Sequence, residues 1–239
     1  MLTVLALLCI PQMALAACET QQFEDASYSV CTAKSDQDLR LFHSDLEGKL
    51  YGGFPAVNRS LEPEGKILSF GMNAGMYHDD RRPVGLYIEN GEEHSPIADG
   101  GGFGNFGLVP NGVFCINPDH FAIIETQTFK ADPPPCTYAT QSGPMLVIDG
   151  ALHPAFLPDS DSTLIRNGVG VSKDGKSATF VLSDTRVNFD TFARFFRDAL
   201  GLKQALFFDA KVSRIHAPEI SRFDSGLALG VILGLVKDS

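Results

Sequence analysis

The sequence predicts an α+β fold: a mixed, strand-rich sheet with a few flanking helices in a single domain. Three observations predict it. Short alternating or continuous apolar stretches recur along the chain, Asn-Gly and Asp-Gly dipeptides punctuate them, and one segment stands out for a sustained helical period. At 239 residues and 44% hydrophobic content, the chain can bury one substantial core.

The first stretch, "MLTVLALLCIPQMALAAC", is uncharged, apolar and too short to span a bilayer comfortably, and it contains the cleavage-like pattern Ala14-Leu15-Ala16. Residues 1–16 are therefore expected to be a secretory signal and 17–239 the domain, with a periplasmic or secreted location. An apolar first core strand is the alternative. Leu15-Ala16-Ala17-Cys18 also fits a lipobox, in which Cys18 would carry lipid. Removal of the signal takes Cys9 and leaves Cys18, Cys31, Cys115 and Cys136, an even set suited to two disulfides in an oxidising compartment. Closeness in sequence pairs Cys18 with Cys31 and Cys115 with Cys136. No C-x-x-C spacing points to metal.

Alternation in "SYSVCTA" and "QDLRLFHSD" predicts two early strands, and "GGFPAVNRSLEPEGK" leads from them to a third extended run, "ILSFGMNAGMY". "VGLYIENGEE" reads as a hairpin turning at Asn90-Gly91. Further extended segments are "NGVFCI", "FAIIETQTF", "GPMLVIDGAL" and "NGVGVSKDGKSATFVLS", the last folding at Asp174-Gly175. In "NFDTFARFFRDALG", Phe189, Phe192, Ala193, Phe196 and Leu200 recur at helical spacing and Gly201 is a natural stop. This helix lies between "SATFVLSD" and "QALFFDA", so a strand–helix–strand crossover with a parallel pair is expected. Asp184 and Asp209 then fall at the carboxyl ends of those strands, where open sheets tend to carry their sites. The apolar run "LALGVILGLV" reads as a last buried strand.

A formal charge of -10 argues against a general nucleic-acid binder, which needs a basic face to meet phosphates. Residues 102–107, "GFGNFG", match the dinucleotide pattern G-x-G-x-x-G in letters only. That pattern works between a strand and a helix, and the flanks here are polar or broken by Pro96, Pro110 and Gly112. No cofactor is expected, and no membrane span. His78, Asp79 and Asp80 are the nearest approach to a metal set, but adjacent residues project in different directions and "HDDRR" is more simply a solvated loop. His153 and His216, beside Pro-containing turns, could line a site or merely pack.

Four polar clusters interrupt apolar segments: Asn73 to Tyr77; Thr140 to Pro144, with Ser142 and Gly143; Arg166-Asn167-Gly168; and Asp209 with Ser213. Each sets a hydrogen-bonding side chain beside Gly or small neighbours, which lets a ligand approach closely. Each also has a purely structural reading: Asn73 could shape a turn, Ser142 satisfy a loop, Arg166 pair with a core carboxylate, and Asp209 cap the next segment.

At these clusters the sequence resembles the phosphodiester glycosidase family, from about Cys18 onward, through "FGMNAGMYHDDRRPVGLYIENG", "GGFGNFGLVPNGVFCI", "ATQSGPMLVIDGALHPAF", "IRNGVGVSKDG" and "ALFFDAKVSRIHAPE". The resemblance implies a secreted hydrolase that frees a sugar from a sugar-1-phosphodiester, with a carbohydrate phosphodiester or cell-envelope glycan as partner. It implies Asp209, Arg166, Ser142 and Asn73 as catalytic residues, and Tyr77, Asn111, Thr140, Gly143, Asn167 and Ser213 as substrate-binding ones. Arg166 suits the phosphate, since a guanidinium grips two oxygens at once. Asp209 suits a general base, nucleophile or transition-state stabiliser, and Asp184 is a weaker second candidate. Lys211 and Arg214 could add positive charge or face solvent. The chain departs from the family at Ala74, at Asn167 and, most seriously, at Ala210-Lys211 after the Asp, where many members have glycines. A non-catalytic phosphoglycan-binding protein on the same fold therefore stays open, as does a phosphodiesterase breaking a phosphorus–oxygen bond.

Overall fold

β-branched and aromatic residues on alternating positions make strands the commonest regular structure among the described residues. A computed structural model describes residues 18–101 and 104–239. The proposed signal segment lies outside the described residues. In chain order the elements are β1 (Cys18–Phe23), β2 (Ala26–Lys34), β3 (Asp38–Phe42), α1 (Phe54–Leu61), β4 (Lys66–Asn73), β5 (Tyr87–Glu89), β6 (Glu92–Ser95), β7 (Gly112–Asn117) and β8 (His120–Glu125). There follow α2 (Thr126–Ala131), β9 (Tyr138–Ser142), β10 (Met145–Ile148), β11 (Ala151–Leu152), β12 (Asn167–Val171) and β13 (Ser177–Ser183). The chain then forms α3 (Phe189–Arg194), β14 (Gln204–Asp209), β15 (Ile215–Ala217), β16 (Arg222–Phe223) and β17 (Ile232–Asp238).

Among the described residues these strands form three sheets, ordered β1-β2-β13-β12-β14-β10-β11, β16-β15-β4-β17-β3 and β6-β5-β9-β7-β8. The α+β class is as expected. One core serves all three: Phe180 and Leu206 from the first sheet meet Phe70 and Leu233 from the second and Phe114 from the third. A second cluster, with Phe192, Phe195 and Phe196, seals the outer face of the largest sheet under α3. Asn188 caps α3, accepting from Thr191 N–H at 2.8 Å, and a π-helical turn over Phe195–Ala199 carries it to Gly201 at φ 66°.

The two hairpins turn where the dipeptides place them. Asn90 and Gly91 both have positive φ between β5 and β6, and Gly175 lies at φ 70° between β12 and β13. Both disulfides form as paired by proximity, Cys18–Cys31 across β1 and β2 and Cys115–Cys136 tying the Pro-rich loop to β7. With its sulfur in a disulfide, Cys18 has no thiol for a lipid.

Two expectations are corrected. β13 and β14 do run in the same direction, but β12 lies between them and pairs antiparallel with each, so they are not hydrogen-bonded neighbours. The β12–β13 hairpin inserts β12 into the gap under the crossover. "FAIIETQTF" is also not extended throughout: β8 ends at Glu125, whose carboxylate accepts from Thr128 N–H at 3.0 Å and starts α2.

Candidate functional site

β4 ends at Asn73, β9 at Ser142 and β14 at Asp209, and β12 begins at Asn167. The pairing registers set Asn167 opposite Asp209. Three side chains join the sheets at this end. Asn167 Nδ2 donates to the Asn73 carbonyl at 2.7 Å, Ser142 Oγ to the Phe208 carbonyl at 2.9 Å, and Thr140 Oγ1 to the Ala74 carbonyl at 2.8 Å. Each is a long-range contact that local sequence cannot enforce, and each satisfies a buried carbonyl.

Asp209 is the centre of this junction. Its backbone N–H donates to Asn167 Oδ1 at 3.0 Å, and Ser213 Oγ donates to its carbonyl at 2.9 Å. Its carboxylate accepts from the N–H groups of Ala210 at 2.6 Å and Lys211 at 3.0 Å. Burial, with only 8% of the residue exposed, raises its pKa above the ordinary value, and those backbone donors partly oppose the rise. Neither Ala210 nor Lys211 has a positive φ, so this turn needs no glycine and the departure from the family pattern leaves the donors in place.

Asn73 Oδ1 accepts from Asn167 Nδ2 at 3.1 Å and from Arg214 N–H at 2.9 Å, while its Nδ2 is buried without a partner among the described residues. Arg214 is also buried, and its Nε and Nη2 likewise lack an acceptor there. Burial lowers its pKa, and the Tyr77 and Asp224 charges act against that. The Tyr77 phenol is raised first by burial and then by the Asp209 charge, with Arg81 and Arg214 pulling it down. Asn167 and Asn73 thus link the backbones of Asp209 and Arg214 through one chain of buried hydrogen bonds.

Arg166 stands elsewhere in this frame. Its guanidinium lies 3.7 Å from the centroid of Phe189, with Nε donating to the Val187 carbonyl and Nη2 to the Ser162 carbonyl, both at 2.9 Å. Nη1 alone is without a partner, and burial lowers the pKa to about 10. Strand alternation explains the separation: Asn167 and Arg166 are neighbours and so point to opposite faces. Arg214, which the sequence presents only as added charge, is bonded through its backbone N–H to Asn73 Oδ1.

Gly143 packs its backbone against Asn111, because a Cβ there would lie 1.9 Å from Asn111 Oδ1. Asn111 Nδ2 donates to the Phe106 carbonyl at 2.9 Å, so this pair shapes the wall beside Ser142. Ser142, fully buried, has its one proton committed to Phe208. Asp184 is tied into a separate cluster, accepting from Ser27 and Ser29 and pairing with Arg222. His153 bonds the Val109 carbonyl and stacks on Phe156, and His216 packs between Phe54 and Phe223. His78, Asp79 and Asp80 are exposed. Among the described residues, no group of three or more His, Cys, Asp or Glu is placed to hold a metal ion, and no helix is long and apolar enough to cross a membrane. Of the Gly-rich stretch, Gly102 and Phe103 lie outside the described residues; Asn105–Gly107 is a short 3-10 turn that leads into β7, not into a helix. A cleft of about 500 Å³ near Gln37, Asn90 and Tyr138 contains none of the candidate residues.

The family profile for phosphodiester glycosidases matches residues 67–209, which run from β4 to Asp209 and so include Asn73, Ser142, Arg166 and Asn167. The chain belongs to the phosphodiester glycosidase family. Consistent with this, it is 34% identical over 178 residues to the uncharacterized protein YigE of Escherichia coli K12, covering 74% of this chain and 69% of that one. In fold it is similar to the catalytic domain of zebrafish N-acetylglucosamine-1-phosphodiester alpha-N-acetylglucosaminidase, auto-inhibited by its pro-peptide, with a TM-score of 0.64 at 12% identity over 95% of this chain and 85% of that one. At that identity the likeness speaks for the fold. Two disulfides are consistent with an extracellular or periplasmic phosphodiester glycosidase.

Proposed function

We propose that this protein hydrolyses a sugar-1-phosphodiester, breaking the bond between the anomeric carbon and the bridging phosphate oxygen. The observation behind it is a buried Asp209 joined through the Asn167 and Asn73 side chains to the backbone of Arg214, whose buried Nε and Nη2 have no acceptor among the described residues. Membership of the family supplies the reaction class.

In this reading Arg214 holds two phosphate oxygens through Nε and Nη2, and Asn73 Nδ2 adds a third donor. An anion there would offset the cost of burying the guanidinium. A water molecule attacks the anomeric carbon and passes a proton to ionised Asp209, which returns it to solvent afterwards. The carbon–oxygen electron pair stays with the phosphate, which departs as a monoester. Since the second pKa of such a phosphate is about 6, it leaves as a stable anion and requires no separate carboxylic acid to protonate it. One carboxylate and one anion clamp then suffice. Asn167 and Ser213 act as positioning residues by fixing the Asp209 backbone, and Arg166 fixes the segment leading into β12. Secretion to the periplasm or beyond is part of the same proposal.

The test is hydrolysis of a panel of sugar-1-phosphodiesters by the protein from Ala17 with its disulfides intact, beside Asp209→Asn and Arg214→Gln. Sugar release by the wild type and at least hundredfold loss in Asp209→Asn support the assignment. Undiminished release by Asp209→Asn ends the base role.

A further inference from the structure

A second cleft, of about 430 Å³, adjoins Tyr77 on another side, and Tyr51, Gly52, Arg59, Arg81 and Ala228 form part of its wall. Two arginines on one wall are notable in a chain of net charge -10. Arg40, Arg82, Arg194, Arg197 and Arg222 each pair with an Asp or Glu. Among the described residues, Arg59 and Arg81 have no such carboxylate.

Arg81 is held in place without an acid. Its guanidinium carbon lies 5.0 Å from the centroid of Tyr77, its carbonyl accepts from His43 Nε2 at 2.9 Å, and its backbone sits at φ 71°. A stacked guanidinium has less freedom to lose on binding than a solvated one. Tyr77 in turn donates to the Ala228 carbonyl at 3.1 Å, so the residue that supports Arg81 also braces the cleft wall. The same segment leads back to the candidate site, since a Cβ at Gly226 would lie 3.9 Å from Arg214 Nη1. Residues 226–229 thus run from beside Arg214 to the wall of the arginine cleft. The volume falls in the range of small-molecule sites, roughly 300–1,000 Å³.

We infer that the Arg59–Arg81 cleft is a second anion subsite, which takes a phosphate or carboxylate group on the part of the substrate beyond the scissile phosphate. The inference rests on the proposed hydrolysis for its position in the substrate, and it narrows the substrate class to phosphodiesters whose leaving portion carries its own negative charge. Two guanidinium groups without internal acids neutralise one such group, and a neutral leaving portion would leave both unmatched.

The experiment is calorimetric titration with inorganic phosphate, which requires no turnover and so reads the subsite whether or not hydrolysis is found. Full-length mature protein with intact disulfides is compared with Arg59→Gln/Arg81→Asn and Arg214→Gln. Asn suits the positive φ at Arg81, and Arg59→Gln alone serves as a variant at an exposed position. The wild type is expected to bind two phosphates per chain. The double variant should lose one of them or bind it at least tenfold more weakly, Arg59→Gln alone should weaken it at least threefold, and Arg214→Gln should lose the other. Wild-type stoichiometry and affinity in the double variant, or a wild type whose only phosphate is the one removed by Arg214→Gln, would overturn the inference.

Discussion

Oδ1 of Asn167 accepts the backbone N–H of Asp209 at 3.0 Å. The same side chain, through Nδ2, reaches the Asn73 carbonyl at 2.7 Å, so one amide fixes the strand that presents the carboxylate and ties it to the neighbouring sheet. Asn167→Ala would leave a buried donor and a buried acceptor without these partners. It is expected to destabilise the fold by about 1–3 kcal/mol, read from urea unfolding, and to lower sugar release even where the protein remains folded.

Asp209 is predicted to trade stability for activity. Its folded pKa is raised above the ordinary 3.8, mainly by burial. The stability contributed by this group is therefore fully present below 3.8 and is lost as pH rises through the folded value. At pH about 7 the buried charge is a cost that Asp209→Asn removes, so the variant should melt above the wild type there. The difference should shrink below 3.8, a comparison that calorimetry over a pH series makes directly. If ionised Asp209 is the base, turnover falls as pH drops through that raised pKa.

The two buried arginines are expected to separate in their effects. Arg166→Lys loses the flat stack on Phe189 and the fork that bonds two carbonyls, and should cost about 1–3 kcal/mol of unfolding free energy. Arg214→Gln removes a guanidinium whose Nε and Nη2 have no internal partner, so it should leave the melting temperature unchanged or higher. Its effect belongs on KM for the phosphodiester, with a rise of at least about tenfold, which corresponds to about 1.4 kcal/mol of lost binding.

Replacing Cys115 and Cys136 by Ser opens a closure of 21 residues in sequence separation. The chain-entropy argument gives a loss of about 3 kcal/mol, measured as a lower urea midpoint; reductant lowers the wild-type midpoint further, because it opens Cys18–Cys31 as well.

Much of this architecture was legible where the signal is local. Asn90-Gly91 and Asp174-Gly175 announce their hairpins because few residues adopt their backbone angles at low cost, and the Phe189–Phe192–Phe196 stripe announces α3. The helix α1 is hard to see in the sequence although Phe54, Val57 and Leu61 are buried at helical spacing, because its eight residues include a proline and run on into "EPEG". The insertion of β12 between β13 and β14 has no local signature, since register and neighbour are set by the whole sheet. The polar clusters at Asn73, Ser142, Asn167 and Asp209 stood out individually, but their meeting at the junction of three sheets is a property of topology. The division between Arg166 and Arg214 follows from which face each residue presents, which composition and spacing do not disclose.

In the proposed reaction water attacks the sugar carbon and not the phosphorus. Hydrolysis of a sugar-1-phosphodiester in heavy-oxygen water, followed by mass analysis of both products from the wild type and Asp209→Asn, distinguishes the two. Label is expected in the released sugar, none in the phosphate, and both products are expected to be lost in the variant. Label in the phosphate would contradict the proposed reaction and make the protein a phosphodiesterase.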